Sequence, residues 1–128
     1  MRKVILENIL PKMNNHQQES LPIASIENLP SVSGTETLYY QKISAVDGKA
    51  SMLQIVAVHG LGHHHEAFKH FENHFWPKSE INFDLYLIDM KGHGLSNGVR
   101  GDVKSFSHYC SDLVHFINEK TNKDSPLI

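Results

Sequence analysis

Two apolar runs constrain this chain more than any other feature. "MLQIVAVHG", residues 52–60, is almost unbroken by polar residues, and "INFDLYLIDM", residues 81–90, reads as a second buried strand. A strand with one wet face alternates polar and apolar residues. Runs like these read instead as strands buried on both faces, the habit of parallel sheets covered by helices. Between them, "HHEAFKHFENHF" places apolar residues at 67, 68, 71 and 75, which is helical spacing, and Trp76-Pro77 closes it. A Gly-rich loop, residues 91–102, follows the second run. "SFSHYCSDLVHFINEK" then sets Phe106, Tyr109, Leu113, Phe116 and Ile117 on one face of a helix, with Ser105 as its N-cap. Strand, helix, strand, helix at this spacing predicts βαβ units and an α/β fold with a mostly parallel sheet and flanking helices.

The remainder is less regular. "ETLYYQKIS", residues 36–44, reads as a strand, and Asp47-Gly48 centres a turn after it. Residues 1–33, broken by Pro22 and Pro30, allow a short helix, a flexible arm or an irregular edge strand. They are set apart here as an N-terminal arm preceding a domain over 34–128. At the other end, "PLI" could open a further strand. A length of 128 residues suits one domain. Twelve basic against fourteen acidic residues give no electrostatic case for nucleic acid or an anionic membrane. No signal peptide or membrane span is recognised. Cys110 is the single cysteine, which excludes an internal disulfide and suits a reducing, cytoplasmic setting.

"GLSNG", residues 94–98, matches the nucleophile pattern G-x-S-x-G. That pattern works when its Ser stands on a sharp turn directly between a strand and a helix. Here the strand ends near Asp89 or Met90 and the helix starts near Ser105, so Ser96 falls in mid-loop, without the geometry that would activate it. The histidines raise the question of metal. "HEAFKH" resembles a zincin motif, but His65-Glu66 would need His at 69, where Lys69 stands. His70 and His74 are four apart, yet a site needs three or four ligands. No metal and no cofactor are expected. Asp89 at a strand end suits either a catalytic acid or a loop brace, and the loop's need for partners favours the brace. Arg100 is expected to brace the same loop, and Cys110 to pack on a helix flank.

In order, these pieces are "VHGLG" after one strand, His64 to Phe68 as "HxxxF" on the next helix, Asp89 at the second strand's end, and then "GHGLSNGVRGDVKSFSHYCSDLVHFI". Over residues 36–128 this order resembles the N-terminal half of α/β-hydrolases, in the monoacylglycerol lipase and lysophospholipase-like, serine-aminopeptidase-type group. The resemblance implies that His59-Gly60-Leu61-Gly62 is the oxyanion-hole loop, with the Leu61 backbone N–H as donor. It implies that His59, Gly60, Gly62, Asp89, Gly92, His93, Gly94 and Ser96 brace loops. The nucleophile elbow would follow the strand that "PLI" begins, and the catalytic acid and base would come later still. The chain is therefore expected to be the N-terminal fragment of a serine ester hydrolase, truncated before its elbow and inactive alone. An intact relative would take a monoacyl lipid or other small ester. A separately encoded C-terminal half is the alternative partner, and a small self-contained hydrolase using Ser96 with His93 or His59 is the remaining alternative. In the family's sheet a further strand lies beside "LQIVAV", and an uncovered edge there would self-associate.

Overall fold

The computed structural model describes residues 2–4, 23–32, 34–44, 51–70, 82–102 and 104–128. These described residues form one sheet of five strands: β1 (Arg2–Val4), β2 (Ile23–Pro30), β3 (Thr37–Ser44), β4 (Leu53–Val58) and β5 (Phe83–Ile88), in the order β1-β2-β3-β5-β4. The helix α1 (Phe106–Lys120) packs on it, and Ser105 caps that helix by accepting the Ser107 N–H at 3.2 Å.

The central run explains itself. Along β5, Leu85 and Leu87 join Ile43 and Phe83 in one apolar cluster, with Ile55, Ala57 and Phe68 packed against it. Tyr86 and Ile88 point the other way, into a cluster with Leu38, Tyr40, Met90 and Phe116, against which Val56, Tyr109 and Ile117 pack. Alternate residues thus serve opposite faces, and both faces need apolar side chains. Phe116 is fully buried, with its ring edge-on to Tyr40 and Tyr86. The Tyr86 hydroxyl donates to the Lys120 carbonyl at 3.1 Å and holds the helix's last turn.

Several expectations need correction. The sheet is mostly antiparallel: β1/β2, β2/β3 and β3/β5 run antiparallel, and β4/β5 is parallel. Short connections return a chain antiparallel to itself, whereas a parallel pair needs a crossover of about a dozen residues or more. The chain between β4 and β5 is long enough for one, and the six residues between β2 and β3 are not. Second, β4 is not buried on both faces. It lies outermost in the order, and Gln54 is its one fully buried residue. Third, Phe106 is exposed although it shares the helical stripe of Phe116, and Cys110 is exposed rather than packed.

Residues 23–30 take the strand alternative, pairing with β3 from Ile23↔Ser44 to Pro30↔Thr37. The end of that hairpin is pinned to α1. Buried Asp112 accepts from the Ser31 hydroxyl at 2.8 and 2.9 Å and from the Val32 N–H at 2.8 Å. Of the expected crossover helix, His65–Phe68 form a 3-10 turn that continues helically into Lys69 and His70. The rest of it, with His74 and Trp76-Pro77, lies outside the described residues, as do the Asp47-Gly48 turn and any helix over residues 5–22.

The outer edge of β4 is engaged by residues 126–128. The Gln54 N–H donates to the Pro126 carbonyl at 2.8 Å, the Ile128 N–H to the Gln54 carbonyl at 2.9 Å, and the Val56 N–H to the Ile128 carbonyl at 2.9 Å. The pairing is parallel, centred on Gln54↔Leu127. The buried Gln54 side chain sets it. Its carbonyl accepts the Asn122 N–H at 2.6 Å, and its amide donates to the carbonyls of Asn122 at 2.7 Å and Ser125 at 3.3 Å.

Candidate functional site

The two loops that leave the C-terminal ends of the parallel pair lie side by side. In open α/β sheets that end of the strands is where ligands bind. The loop after β4 starts with a tight turn. The His63 N–H donates to the Gly60 carbonyl at 3.0 Å, and Gly62 has φ +79°. The third residue of such a turn needs positive φ, which a side chain resists. Leu61 stands at the tip, 63% exposed. Among the described residues no hydrogen bond engages its N–H, while the next two N–H groups, of Gly62 and His63, are both used.

Four side chains hold this turn and the loop after β5 together. Asp89, fully buried, accepts the His65 N–H at 2.6 Å, the His65 ring Nδ1–H at 2.8 Å and the Leu95 N–H at 2.9 Å. One carboxylate thereby ties residues of both loops. His59 donates from Nδ1 to the Gly60 carbonyl at 2.8 Å and accepts the Met90 N–H on Nε2 at 3.0 Å. Burial, above all, pushes its imidazole below the usual histidine range, against the raising pull of the Gly60 carbonyl. His93 donates from Nδ1 to the Lys91 carbonyl at 3.0 Å and accepts the Gly62 N–H on Nε2 at 3.2 Å. The two rings lie 5.0 Å apart.

Ser96 is the fourth. It is 1% exposed. Its hydroxyl donates to the Asp89 carbonyl at 2.5 Å and accepts the Tyr39 N–H at 2.7 Å, so it bonds the loop to β3 and meets no histidine. Gly94 leaves room for the Asp89 carboxylate: a Cβ there would sit 2.1 Å from Oδ2. At Gly92 a Cβ would meet the Val99 carbonyl oxygen at 2.6 Å. Arg100 is exposed and makes no hydrogen bond or ion pair among the described residues.

Two participants carried no mark in the sequence. Of three adjacent histidines, His65 is the one that meets Asp89, and only the 3-10 turn decides that. Tyr39 contributes a main-chain N–H, which any residue type could supply. No group of three or more His, Cys, Asp or Glu side chains among the described residues is arranged to hold a metal ion. No helix among them is long and apolar enough to cross a membrane.

Chemically, the arrangement is a turn with an N–H that no described group engages, backed by the His59 and His93 rings and the buried Asp89 side chain. A cavity of about 100 Å³ between Glu36, Lys91, Val99, Ser105, His108 and Tyr109 is small against the roughly 300–1,000 Å³ of small-molecule sites. A family model described as serine aminopeptidase, S33, matches residues 50–128, the stretch that carries both loops and α1. No curated protein matches the chain.

Proposed function

The chain belongs to the serine aminopeptidase S33 family of the α/β-hydrolase superfamily, and on that premise we propose that it is the N-terminal part of a serine ester hydrolase acting on monoacyl lipids. The observation that carries this reading is the Leu61 N–H, unengaged among the described residues at the tip of a braced turn, at the C-terminal end of the parallel strand pair. In the reaction, a serine hydroxyl attacks the ester carbonyl while a histidine takes its proton and an aspartate orients that histidine. The carbonyl oxygen becomes an anion, and in this reading the Leu61 N–H donates a hydrogen bond to it. Gly60 and Gly62 shape the turn. His59, His93, Asp89 and Ser96 keep it rigid, with Gly92 and Gly94 giving them space. None of these groups is the nucleophile, so the serine comes from outside them.

The partner in this reading is a C-terminal hydrolase half, covalently continuous or separately encoded. The seat of residues 126–128 along β4 supports either form, because it extends the sheet in the parallel direction an elbow strand needs. The test is a fluorophosphonate probe with adduct mapping, applied to the chain alone and to the chain co-expressed with the C-terminal half of a related monoacyl-lipid hydrolase. The chain alone should stay unlabelled. The co-expressed pair should label on the elbow serine and hydrolyse a monoacylglycerol, with Leu61→Pro, which lacks the N–H, lowering the rate. Labelling of the isolated chain at Ser96 would overturn the proposal.

A further inference from the structure

The Gly62 N–H, one residue beyond the proposed oxyanion donor, is held by a histidine that can exist in only one form there. The Lys91 carbonyl, 3.0 Å from His93 Nδ1, can only accept, so Nδ1 carries a proton. The Gly62 N–H, 3.2 Å from Nε2, can only donate, so Nε2 is bare. His59 obeys the same logic at the turn's other end. Its Nδ1 faces the Gly60 carbonyl and its Nε2 faces the Met90 N–H. Two neutral imidazoles therefore grip the turn's first carbonyl and its third N–H.

We propose that His93 is a positioning residue for the Leu61 N–H: as the neutral Nδ1–H tautomer it fixes the turn through Gly62, and its protonation releases the turn. This rests on the reading of Leu61 as the oxyanion donor. A proton on Nε2 would point at the Gly62 N–H and turn an attraction into a clash of two donors. Groups from three elements face His93. His59 approaches from the loop after β4 at 5.0 Å and Tyr109 from α1 at 6.0 Å, edge-on. Lys91 offers its carbonyl, while its ammonium faces Glu36. Asp89 is spent on His65 and Leu95, and it and His64 act on His59.

The test is NMR on the full chain. Long-range proton–nitrogen correlations at pH 8 should give the Nδ1–H tautomer for His93. On acidification, the Gly62 amide should shift and lose exchange protection with the midpoint at which His93 gains its proton. His93→Gln keeps an acceptor within reach of the Gly62 N–H but does not titrate, and should abolish that shift. An Nε2–H tautomer in the wild-type chain, or a Gly62 amide that ignores the His93 midpoint, would overturn the inference even if the variant fails to fold. Neither result depends on ester hydrolysis. A Gly62 amide that tracks His93, beside a co-expressed pair without activity, would sink the hydrolase reading and leave the linkage standing.

Discussion

A hydroxyl that attacks an ester needs an accessible oxygen and a base to take its proton. Ser96 offers neither, since its oxygen is buried between the Asp89 carbonyl and the Tyr39 N–H. Ser96→Ala should therefore lower stability and leave reactivity alone. The Tyr39 N–H would lose its Ser96 partner in the interior, which costs about 1–3 kcal/mol. Urea unfolding reads that loss, and fluorophosphonate reactivity of the chain should not change. A variant as stable as the parent would remove the bracing role. Part of this was legible in the sequence: spacing alone put Ser96 in mid-loop, away from any strand–turn–helix geometry. Its partners were not. Tyr39 lies 57 residues away on β3 and bonds Ser96 through its main chain. His65 likewise could not be told from His63 or His64, because residue type records chemistry and the fold supplies direction.

At the scale of elements, β4 and β5 look alike as strings yet occupy different places. The β5 run was legible because both of its faces meet apolar neighbours. The β4 run reads the same, but composition does not separate a central strand from an outer one. Gln54 was the available mark, a polar residue inside "LQIVAV" that is 1% exposed. Gln54→Leu should keep the apolar character of the run and release the turn over residues 122–125. It removes three hydrogen bonds to that turn and leaves the Asn122 N–H without its acceptor. We expect the Ile128 amide to lose hydrogen-exchange protection while the β5 amides keep theirs, with a global loss of about 1–3 kcal/mol. Equal protection in both proteins would mean that the backbone pairing of residues 126–128 stands without the side chain. The helix taught a related limit. Periodicity gave the angle of Phe106 around α1, but not where along its axis the sheet ceases to cover it. The strand directions were misjudged because the β3/β5 pairing joins elements far apart in sequence, and no local pattern announces it.

At the scale of the whole molecule, the two loops and the sheet are joined through groups that must stay neutral, and this makes stability depend on pH with a definite sign. His59 is held below the usual histidine range, foremost by burial. As pH falls through about 6.5, His59 of the unfolded chain takes a proton first. The unfolded state then binds more protons than the folded one, and folding stability declines. The contribution is complete above that pH and is lost progressively toward the lower folded value. We expect urea midpoints that are level near pH 7–8 and fall from about pH 6.5 downward. His59→Gln keeps an acceptor within reach of the Met90 N–H without titrating, so its midpoint should fall less steeply over the same interval. Identical slopes would assign the acid sensitivity to other groups. The first consequence of acidification is local, because the Gly60 carbonyl and the Met90 N–H that His59 joins belong to the two loops themselves. Protonating the folded chain would part those loops before it melts the strands beneath them. The two loops should then lose their mutual hydrogen bonds at a higher pH than the one at which β5 loses its exchange protection.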